Sequence, residues 1–428
     1  MPRIAIVSEH ASPLAQPGGI DSGGQNVYVA NVALQLAAQG SQVDIFTRLD
    51  CASLPPELKL APNVNVVHVP AGPARYLPKE ALLPYMGDFS RFMQTYFDAQ
   101  EEPYDLIHAN FFMSALAALP VARRAGIPLA VTFHALGRVR RQYQAEADCF
   151  PDCRFDIEDK IVQNADCIIA ECPQDREDLI QLYGADPERI SMVPCGFDSN
   201  EMAPMDKSAA RALLGWDPDV FYVLQLGRIV PRKGIDNVIK GLARLRSTYG
   251  LDARLCVVGG DSATPSVQST PEFGRLKALA IQEGIENFVQ FEGRRPRNQL
   301  RRYYCAADVF VTTPWYEPFG ITPVEAMACA RPVIGSDTGG IRYTVIDGET
   351  GYLVPSKSPK ALAARLADLA NDPDKAQRMG LAGARRANEW FTWDRVGCDL
   401  TQLFETLQSA RTSSLLDSKV KSSSRLAA

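Results

Sequence analysis

The chain has 428 residues with a net charge of −5, and 46% of its residues are hydrophobic and 22% charged. This length is sufficient for two domains, each with its own core, and the composition is typical of globular proteins. The slightly acidic balance gives no electrostatic reason to expect nucleic acid or an anionic membrane as a partner. No apolar run approaches the ~20 residues that a membrane helix needs, and the N-terminus lacks a secretory cleavage pattern. We therefore expect a cytoplasmic protein without a transmembrane segment.

The cysteines and histidines give little indication of a metal site. The ten cysteines are scattered without a C-x-x-C pair, and the four histidines lie far apart in the sequence. Several cysteines lie in apolar runs, where a free thiol behaves as a small hydrophobic side chain. We therefore predict reduced structural thiols and no bound metal.

In the first half of the chain, short apolar runs alternate with helical patterns. Apolar residues at helical spacing between 29 and 37 predict a helix that stops at Gly40. Strands that alternate with helices favour a parallel sheet covered on both faces. The predicted strands are IAIVS, VDIFT, VNVVHV, DLIHAN, LAVTF, CIIAE and ISMVP.

A glycine-rich loop, residues 14–29, follows the first predicted strand and leads into the first helix. Gly23 and Gly24 let the backbone approach a ligand closely, and the helix N-terminus offers amides to an anion. The spacing is not that of the G-x-G-x-x-G dinucleotide fingerprint. The alternative interpretation is a flexible surface loop.

His134 lies just past the end of a predicted strand, in the string VTFHALGRVRR. From that position it is expected to face a cleft between domains, although a lone histidine is also often a satisfied polar residue. The following arginines, Arg138, Arg140 and Arg141, either steer a phosphorylated acceptor or form a solvated helix face.

After Pro204 the alternation of strands and helices restarts, which indicates two Rossmann-like halves with a boundary in the turn-rich stretch 194–208. The second-half strands are predicted at FYVLQLG, RLCVVGG, FVQFEG, DVFVTT, PVIGSD and GYLVP. The predicted organisation is an N-terminal domain (1–200), a C-terminal domain (201–390), a helix that packs back toward the first domain (391–412) and a disordered tail (413–428).

Two cations mark the strand-to-helix turn of the string GRIVPRKGID. Arg228 follows a strand and a glycine, and Lys233 lies five residues further on. Such a pair suits a diphosphate, because it neutralises charge that grows as a phosphate leaves. The basic run at 294–304, in contrast, is predicted to be a solvated helix face.

Residues 314–340 read as the turn, helix and strand that complete a βαβ unit begun by DVFVTT. Glu317 lies at the carboxyl end of the first strand, where open α/β sheets bind ligands. On purely structural grounds Glu317 is a solvated loop carboxylate. On the same grounds Glu325 is the capping-box partner of an N-cap at Thr322.

The string EPFGITPVEAMA, followed by PV, TGG and DGETGYLV, closely resembles the donor-binding signature of the retaining nucleotide-sugar glycosyltransferases of family 4. The sequence of the glycine-rich loop most closely resembles that of the enzymes that glycosylate inositol phosphate in mycothiol synthesis. It next resembles that of the sucrose and sucrose-phosphate synthases. The resemblance covers nearly all of residues 3–400. It implies a GT-B fold, an α/β architecture of two Rossmann-like domains facing each other across a cleft.

The resemblance also implies roles for individual residues. Transfer is expected to retain the anomeric configuration, without metal or cofactor. Glu325 would bind the ribose, Arg228 and Lys233 the diphosphate, and Glu317 with the backbone of Phe319, Gly320 and Ile321 the donor sugar; His134 would touch that sugar, and Gly23 and Gly24 would let the first loop close on the diphosphate.

The acceptor is less defined by the resemblance. Lys79 and Arg154 match the two cations that hold the acceptor phosphate in the inositol-phosphate enzymes, but Phe111 and Ala135 replace their two hydroxyl residues. Losing these hydrogen bonds counts against inositol phosphate and leaves another anionic acceptor open. HALG at 134–137 is similar to the corresponding string of the sucrose-phosphate synthases, so a sugar phosphate is a further candidate for the acceptor.

The predicted function is transfer of a hexosyl unit from a nucleotide sugar, a UDP-sugar favoured, to a sugar or polyol, phosphorylated or not, or to a glycan or lipid-linked acceptor. The alternatives are a GT-B epimerase or phosphorylase and a catalytically silent nucleotide-sugar-binding protein.

Overall fold

The computed structural model describes residues 1–15, 23–268 and 270–426, with side chains up to Arg411. Two α/β units follow one another, with sheets in residues 3–192 and 221–354. The predicted domain boundary lies between these two sheets. Within the described residues, no helix is long and apolar enough to cross a membrane.

In its described part, the first unit contains an eight-stranded sheet in the order β3-β4-β2-β1-β5-β6-β7-β8. All neighbouring strands pair in parallel except β3, which is antiparallel to β4 at the edge. The strands are β1 (Arg3–Val7), β2 (Gln42–Arg48), β3 (Glu57–Ala61), β4 (Val64–Val69), β5 (Leu106–Asn110), β6 (Leu129–Thr132), β7 (Cys167–Ala170) and β8 (Ile190–Met192). The helices are α1 (Gly24–Ala38), α2 (Met86–Asp98), α3 (Phe112–Ala125), α4 (Gly137–Gln144), α5 (Cys153–Asn164) and α6 (Pro173–Tyr183).

The second unit has a six-stranded sheet, within the described residues, in the order β11-β10-β9-β12-β13-β14. Its strands are β9 (Phe221–Leu226), β10 (Ala253–Val258), β11 (Val289–Gly293), β12 (Val309–Thr312), β13 (Val333–Ser336) and β14 (Gly351–Val354). Its helices are α7 (Lys207–Leu214), α8 (Ile235–Tyr249), α9 (Pro271–Gln282), α10 (Arg297–Ala306), α11 (Ile321–Ala328), α12 (Gly339–Thr344), α13 (Pro359–Asn371) and α14 (Pro373–Trp390).

Both sheets are buried on two faces, because helices cover each side. In β1, Ile4 belongs to one core and its neighbour Ala5 to another. In β9, Val223 and Leu224 divide in the same way between two cores. Successive side chains of a strand point to opposite faces, so strands buried on both faces appear as continuous apolar runs. The predicted parallel sheets and all strands predicted from such runs are confirmed.

The chain crosses between the units twice, and the two crossings lie side by side. The amide of Phe197 donates to the carbonyl of Phe391 (2.8 Å), and the amide of Trp393 donates to the carbonyl of Phe197 (3.1 Å). The indole of Trp393 packs directly on Gly196, where a Cβ atom would lie only 2.8 Å from the ring. The two linkers therefore form a single hydrogen-bonded joint.

The last helix, α15 (Trp393–Leu426), returns to the first unit. Gln39 Nε2, just beyond α1, donates to the thiol of Cys398 (3.0 Å), and Arg411 Nε donates to the carbonyl of Gly126 (2.9 Å). The structure differs from the predicted disordered tail, because α15 continues to Leu426; residues 427 and 428 lie outside the described residues. No glycine or proline interrupts residues 411–426, and extending a formed helix adds one hydrogen bond per residue.

Candidate active site

A cavity of about 470 Å³ lies between the two units, at the carboxyl ends of their strands. Its walls bring together segments that are far apart in the sequence. Of the predicted site residues, those that line it are Gly23, Gly24, Lys79 and His134 from the first unit and Arg228, Lys233, Glu317, Phe319, Gly320, Ile321 and Glu325 from the second.

Lys233 is placed by a tight turn between β9 and α8. Residues 231–233 form one turn of 3₁₀-helix. Gly234 follows with φ +67°, a backbone conformation that residues with a Cβ atom rarely adopt. A Cβ atom at Gly234 would overlap the carbonyl oxygen of Thr313, whose hydroxyl donates to the Gly234 carbonyl (3.0 Å). The K-G pair of the motif is therefore fixed by close packing against the end of β12.

The ammonium group of Lys233 contacts the carboxylate of Glu317, and Arg232 Nη1 lies 3.8 Å from the same carboxylate oxygen. Burial lowers the pKa of Lys233 to about 8; the nearby Arg232 and Arg228 also lower it, while Glu317 opposes the shift. Burial would raise the pKa of Glu317, but the charges of Lys233 and Arg232 outweigh it and hold that pKa below its ordinary value. Glu317 is therefore an ionised carboxylate in a cationic corner, and not a solvated loop residue.

The turn after β12 is held by backbone contacts and begins α11 earlier than predicted. Gly320, with φ +94°, is the N-cap residue and Ile321 the first helical residue. The predicted N-cap at Thr322 and its capping box are therefore wrong, because Thr322 already lies inside the first turn. The amide of Gly340 donates to the carbonyl of Glu317 (2.9 Å), which fixes the turn on the following loop.

Glu325 is buried and holds two partners from α10. Its Oε1 accepts from Arg297 Nη1 (2.9 Å) and its Oε2 from the hydroxyl of Tyr304 (2.8 Å). Arg297 also contacts the carboxylate of Glu201. The prediction that 294–304 is a solvated basic helix face is wrong at Arg297, because two carboxylates compensate its charge, and wrong at Tyr304, which is fully buried.

His134 is fixed on both ring nitrogens. Its Nδ1 lies 2.8 Å from Glu171 Oε1 and its Nε2 lies 2.9 Å from Asn110 Oδ1. The backbone of His134 has φ +57°. Glu171 also accepts from the thiol of Cys195 (3.0 Å). Glu171 and Asn110 were not predicted as site residues, although both are polar residues at the ends of predicted strands, CIIAE and DLIHAN.

Gly23 and Gly24 lie against the second unit. A Cβ atom added to Gly23 would lie 3.6 Å from Arg228 Nε, and one added to Gly24 would lie 3.6 Å from Ile321. The helix α1 therefore begins directly opposite the predicted diphosphate residues. The preceding residues 16–22 lie outside the described residues.

The two predicted acceptor residues are placed differently. Lys79 lines the cavity, whereas Arg154 is fully buried and is not among the lining residues described. Arg154 donates through Nε to Glu158 (2.7 Å) and through Nη2 to the carbonyl of Ala135 (2.5 Å). Its guanidinium also lies 5.1 Å from the ring centroid of Phe111, which itself lines the cavity. Arg154 therefore lies behind the part of the cavity wall that contains Phe111 and Ala135, and it is not among the described residues that open onto the cavity.

Comparison with known proteins shows the family of the chain. The model of "Glycosyltransferase Family 4" matches residues 22–201, and that of "Glycosyl transferases group 1" matches residues 206–386. A D-inositol 3-phosphate glycosyltransferase from Streptomyces bingchenggensis is 37% identical over 94% of this chain and 89% of its own length. A second, from Catenulispora acidiphila, is 38% identical over 94% of each chain.

Solved structures share the same two-domain architecture. A sucrose-phosphate synthase from Thermosynechococcus elongatus superposes with a TM-score of 0.88 and 32% identity, over 96% of this chain and 100% of its own. Anabaena HepE, solved with UDP-glucose, shares the fold at a TM-score of 0.71 and 21% identity, over 95% of this chain and 99% of its own. These family matches, the named relatives and the fold identify a hexosyltransferase with the GT-B fold. The chain belongs to glycosyltransferase family 4.

Proposed function

We propose that this enzyme transfers a hexosyl unit from a nucleoside diphosphate sugar, a UDP-sugar favoured, to a hydroxyl group of a small phosphorylated sugar or polyol, with retention of anomeric configuration. The observation that carries the proposal is the cationic corner of Arg228, Arg232 and Lys233 around Glu317, which opens into the cavity opposite His134. A diphosphate leaving group needs such a concentration of positive charge.

In the donor half, Arg228 and Lys233 bind the diphosphate and stabilise the charge that develops on it as the glycosidic bond breaks. Lys233 then turns from Glu317 toward the phosphate, and the Glu317 carboxylate becomes an acceptor for a hydroxyl of the donor sugar. The amides at the start of α11 provide further donors to the sugar, because the first turn of a helix leaves its N–H groups unpaired.

Glu325 binds the ribose of the nucleotide. A carboxylate has about four lone-pair sites, and its bonds to Arg297 and Tyr304 use two of them. The remaining sites can accept from the two ribose hydroxyls. Arg297 and Tyr304 hold the carboxylate in place, so it does not need to be ordered when the donor arrives.

In the reaction, the acceptor hydroxyl attacks from the face that the diphosphate leaves, and an oxygen of the leaving diphosphate takes the proton. His134 lines the cavity beside the donor sugar, and it does not act as the base, because Glu171 and Asn110 engage both of its ring nitrogens. Catalysis therefore depends on positioning and on electrostatic stabilisation.

For the acceptor, the support comes from Lys79 in the cavity wall and from relatives named for inositol 3-phosphate and for sucrose phosphate. Phe111 and Ala135 line the same wall and offer no hydroxyl, which disfavours inositol phosphate itself. A sugar phosphate or another polyol phosphate fits the wall better.

The test begins with calorimetric titration of UDP-glucose, UDP-N-acetylglucosamine, GDP-mannose and ADP-glucose. The donor that binds is then incubated with a panel of sugar and polyol phosphates, and the anomeric configuration of the product is read by NMR. We expect one donor to bind clearly and its sugar to be transferred with retention. An inverted product would refute the mechanism, epimerisation of the donor without acceptor would refute the transfer, and a folded protein that binds no donor would refute the proposal.

A further inference from the structure

A second group of charges lies on the part of the cavity wall that contains Lys79, Phe111 and Ala135, which we call the acceptor wall. Lys79 and Glu80 belong to a single 3₁₀ turn, residues 79–81, between β4 and α2, and Arg140 lies in α4. Lys79 and Arg140 both line the cavity. One carboxylate oxygen, Glu80 Oε1, lies 3.6 Å from Lys79 Nζ and 3.6 Å from Arg140 Nη2. Two cations, one from a 3₁₀ turn and one from a helix, therefore lie near the same carboxylate oxygen.

Arg140 is held in this position independently of Glu80. Its Nε donates to Asp148 Oδ1 (2.7 Å), and Asp148 is almost completely buried. Its guanidinium also lies 5.1 Å from the ring centroid of Phe150. Asp148 and Phe150 therefore orient the guanidinium, while Nη2 remains directed at the shared oxygen.

Glu80, in contrast, is a weakly bound counter-ion. Both of its distances exceed the ~2.7–3.2 Å of an N–H···O hydrogen bond, so the attraction is electrostatic, without a close hydrogen bond at either cation. The side chain of Glu80 is 24% exposed, compared with 16% for Lys79 and for Arg140, so its carboxylate can turn toward solvent. A phosphate ester offers three strong acceptor oxygens and about two negative charges. A phosphate can accept a short hydrogen bond from each cation, whereas the Glu80 carboxylate accepts none at this distance.

We propose that Lys79 and Arg140 bind the phosphate group of the acceptor, and that Glu80 occupies this subsite until the acceptor displaces it. The proposal rests on the proposed function, and it adds Arg140 as a specificity-determining residue. Glu80 also sets the affinity of the subsite, because each acceptor must replace a resident carboxylate before its phosphate can bind.

Three variants of the full-length chain test the subsite with inorganic phosphate as the probe. Saturating UDP first occupies the predicted diphosphate site, so that phosphate reports on the acceptor wall. In Glu80→Gln the competing charge is gone, and phosphate should bind about fivefold or more tightly than in the wild type, the factor expected for one charge near 4 Å in water. In Arg140→Met and Lys79→Met it should bind at least about fivefold more weakly.

Arg141→Met is the matched control. Arg141 lies next to Arg140 in the same helix and contacts Asp148 (3.4 Å) and Asp152 (2.7 Å), but it is not among the described residues that line the cavity. It should leave phosphate affinity unchanged. UDP affinity should also be unchanged in all four variants, since none of the four residues belongs to the donor half.

The outcomes separate this inference from the function on which it rests. If wild-type protein binds UDP but Glu80→Gln does not bind phosphate more tightly, the inference is overturned and the donor half remains. A loss in Arg141→Met as large as in Arg140→Met would also overturn it, because the effect would then be that of general positive charge. If wild-type protein fails to bind any nucleotide, the proposed function fails, and the phosphate titrations without UDP still decide whether Glu80 competes.

Discussion

Replacing Lys233 with methionine is the most direct test of the diphosphate site. Methionine keeps the length and the apolar stem of the side chain but removes its charge. The Lys233 side chain is 15% exposed and contacts Glu317, so solvent screens its charge only slightly. A hydrogen bond to a charged group contributes about 1.5–3 kcal/mol, and each ~1.4 kcal/mol is a factor of ten. UDP affinity should therefore fall about tenfold to a hundredfold.

Transfer should fall further than binding, because charge grows on the diphosphate as the donor sugar leaves. Removing one donor to a developing charge typically lowers kcat by about 10²–10³. Calorimetry measures the UDP dissociation constant, and initial rates at saturating donor measure kcat. Lys240→Met, a change in α8 away from the described cavity lining, is the control and should behave as the wild type. A folded Lys233→Met variant with near-normal UDP affinity and turnover would refute the assignment.

Three further outcomes are expected. The pKa of Lys233 is about 8 in the free protein, and a bound diphosphate raises it. UDP binding should therefore take up protons just above pH 8, and UDP affinity should fall as the pH rises further. Calorimetry in two buffers of different ionisation enthalpy measures the proton uptake, and its absence in the wild type would contradict this prediction. Glu325→Gln should weaken UDP binding about tenfold while sparing pyrophosphate, and equal losses for both would exclude the ribose role. Arg154→Met leaves buried Glu158 without its ion-pair partner, so the free energy of unfolding in urea should fall by about 3–5 kcal/mol. The double variant Arg154→Met/Glu158→Gln should regain part of this stability. A single variant as stable as the wild type would contradict the contribution of the buried ion pair.

The sheets could be predicted because parallel strands buried on both faces carry continuous apolar sequence. The missed strand, β3, is the exception that shows why. It pairs antiparallel at the sheet edge, and Glu57 and Lys59 are exposed, so it carries alternating polar and apolar residues and no continuous apolar run. Apolar continuity therefore finds the strands in the centre of a sheet and overlooks those at its border.

The site was predicted only as far as each residue's place on its own strand or turn. The hydrogen-bond and ion-pair partners of these residues on other elements were not predicted, because sequence periodicity describes one element at a time. His134 and Glu171 are 37 residues apart, and Arg297 and Glu325 are 28 apart. The charges of 294–304 suggested solvent, and only the approach of α10 to α11 reveals that Arg297 faces a buried carboxylate. The ionised state of Glu317 was not predictable for the same reason, since its pKa is lowered by Lys233 and Arg232, which lie in a different turn of the chain.

Two linkers, paired at Phe197 and Trp393, connect the units at a single place. We expect a change in the angle between the units to be centred on these linkers, because hydrogen bonds hold the two segments together. A protease cut in the turn-rich stretch 198–206 would leave the second linker and α15 intact, and the nicked enzyme would remain one particle.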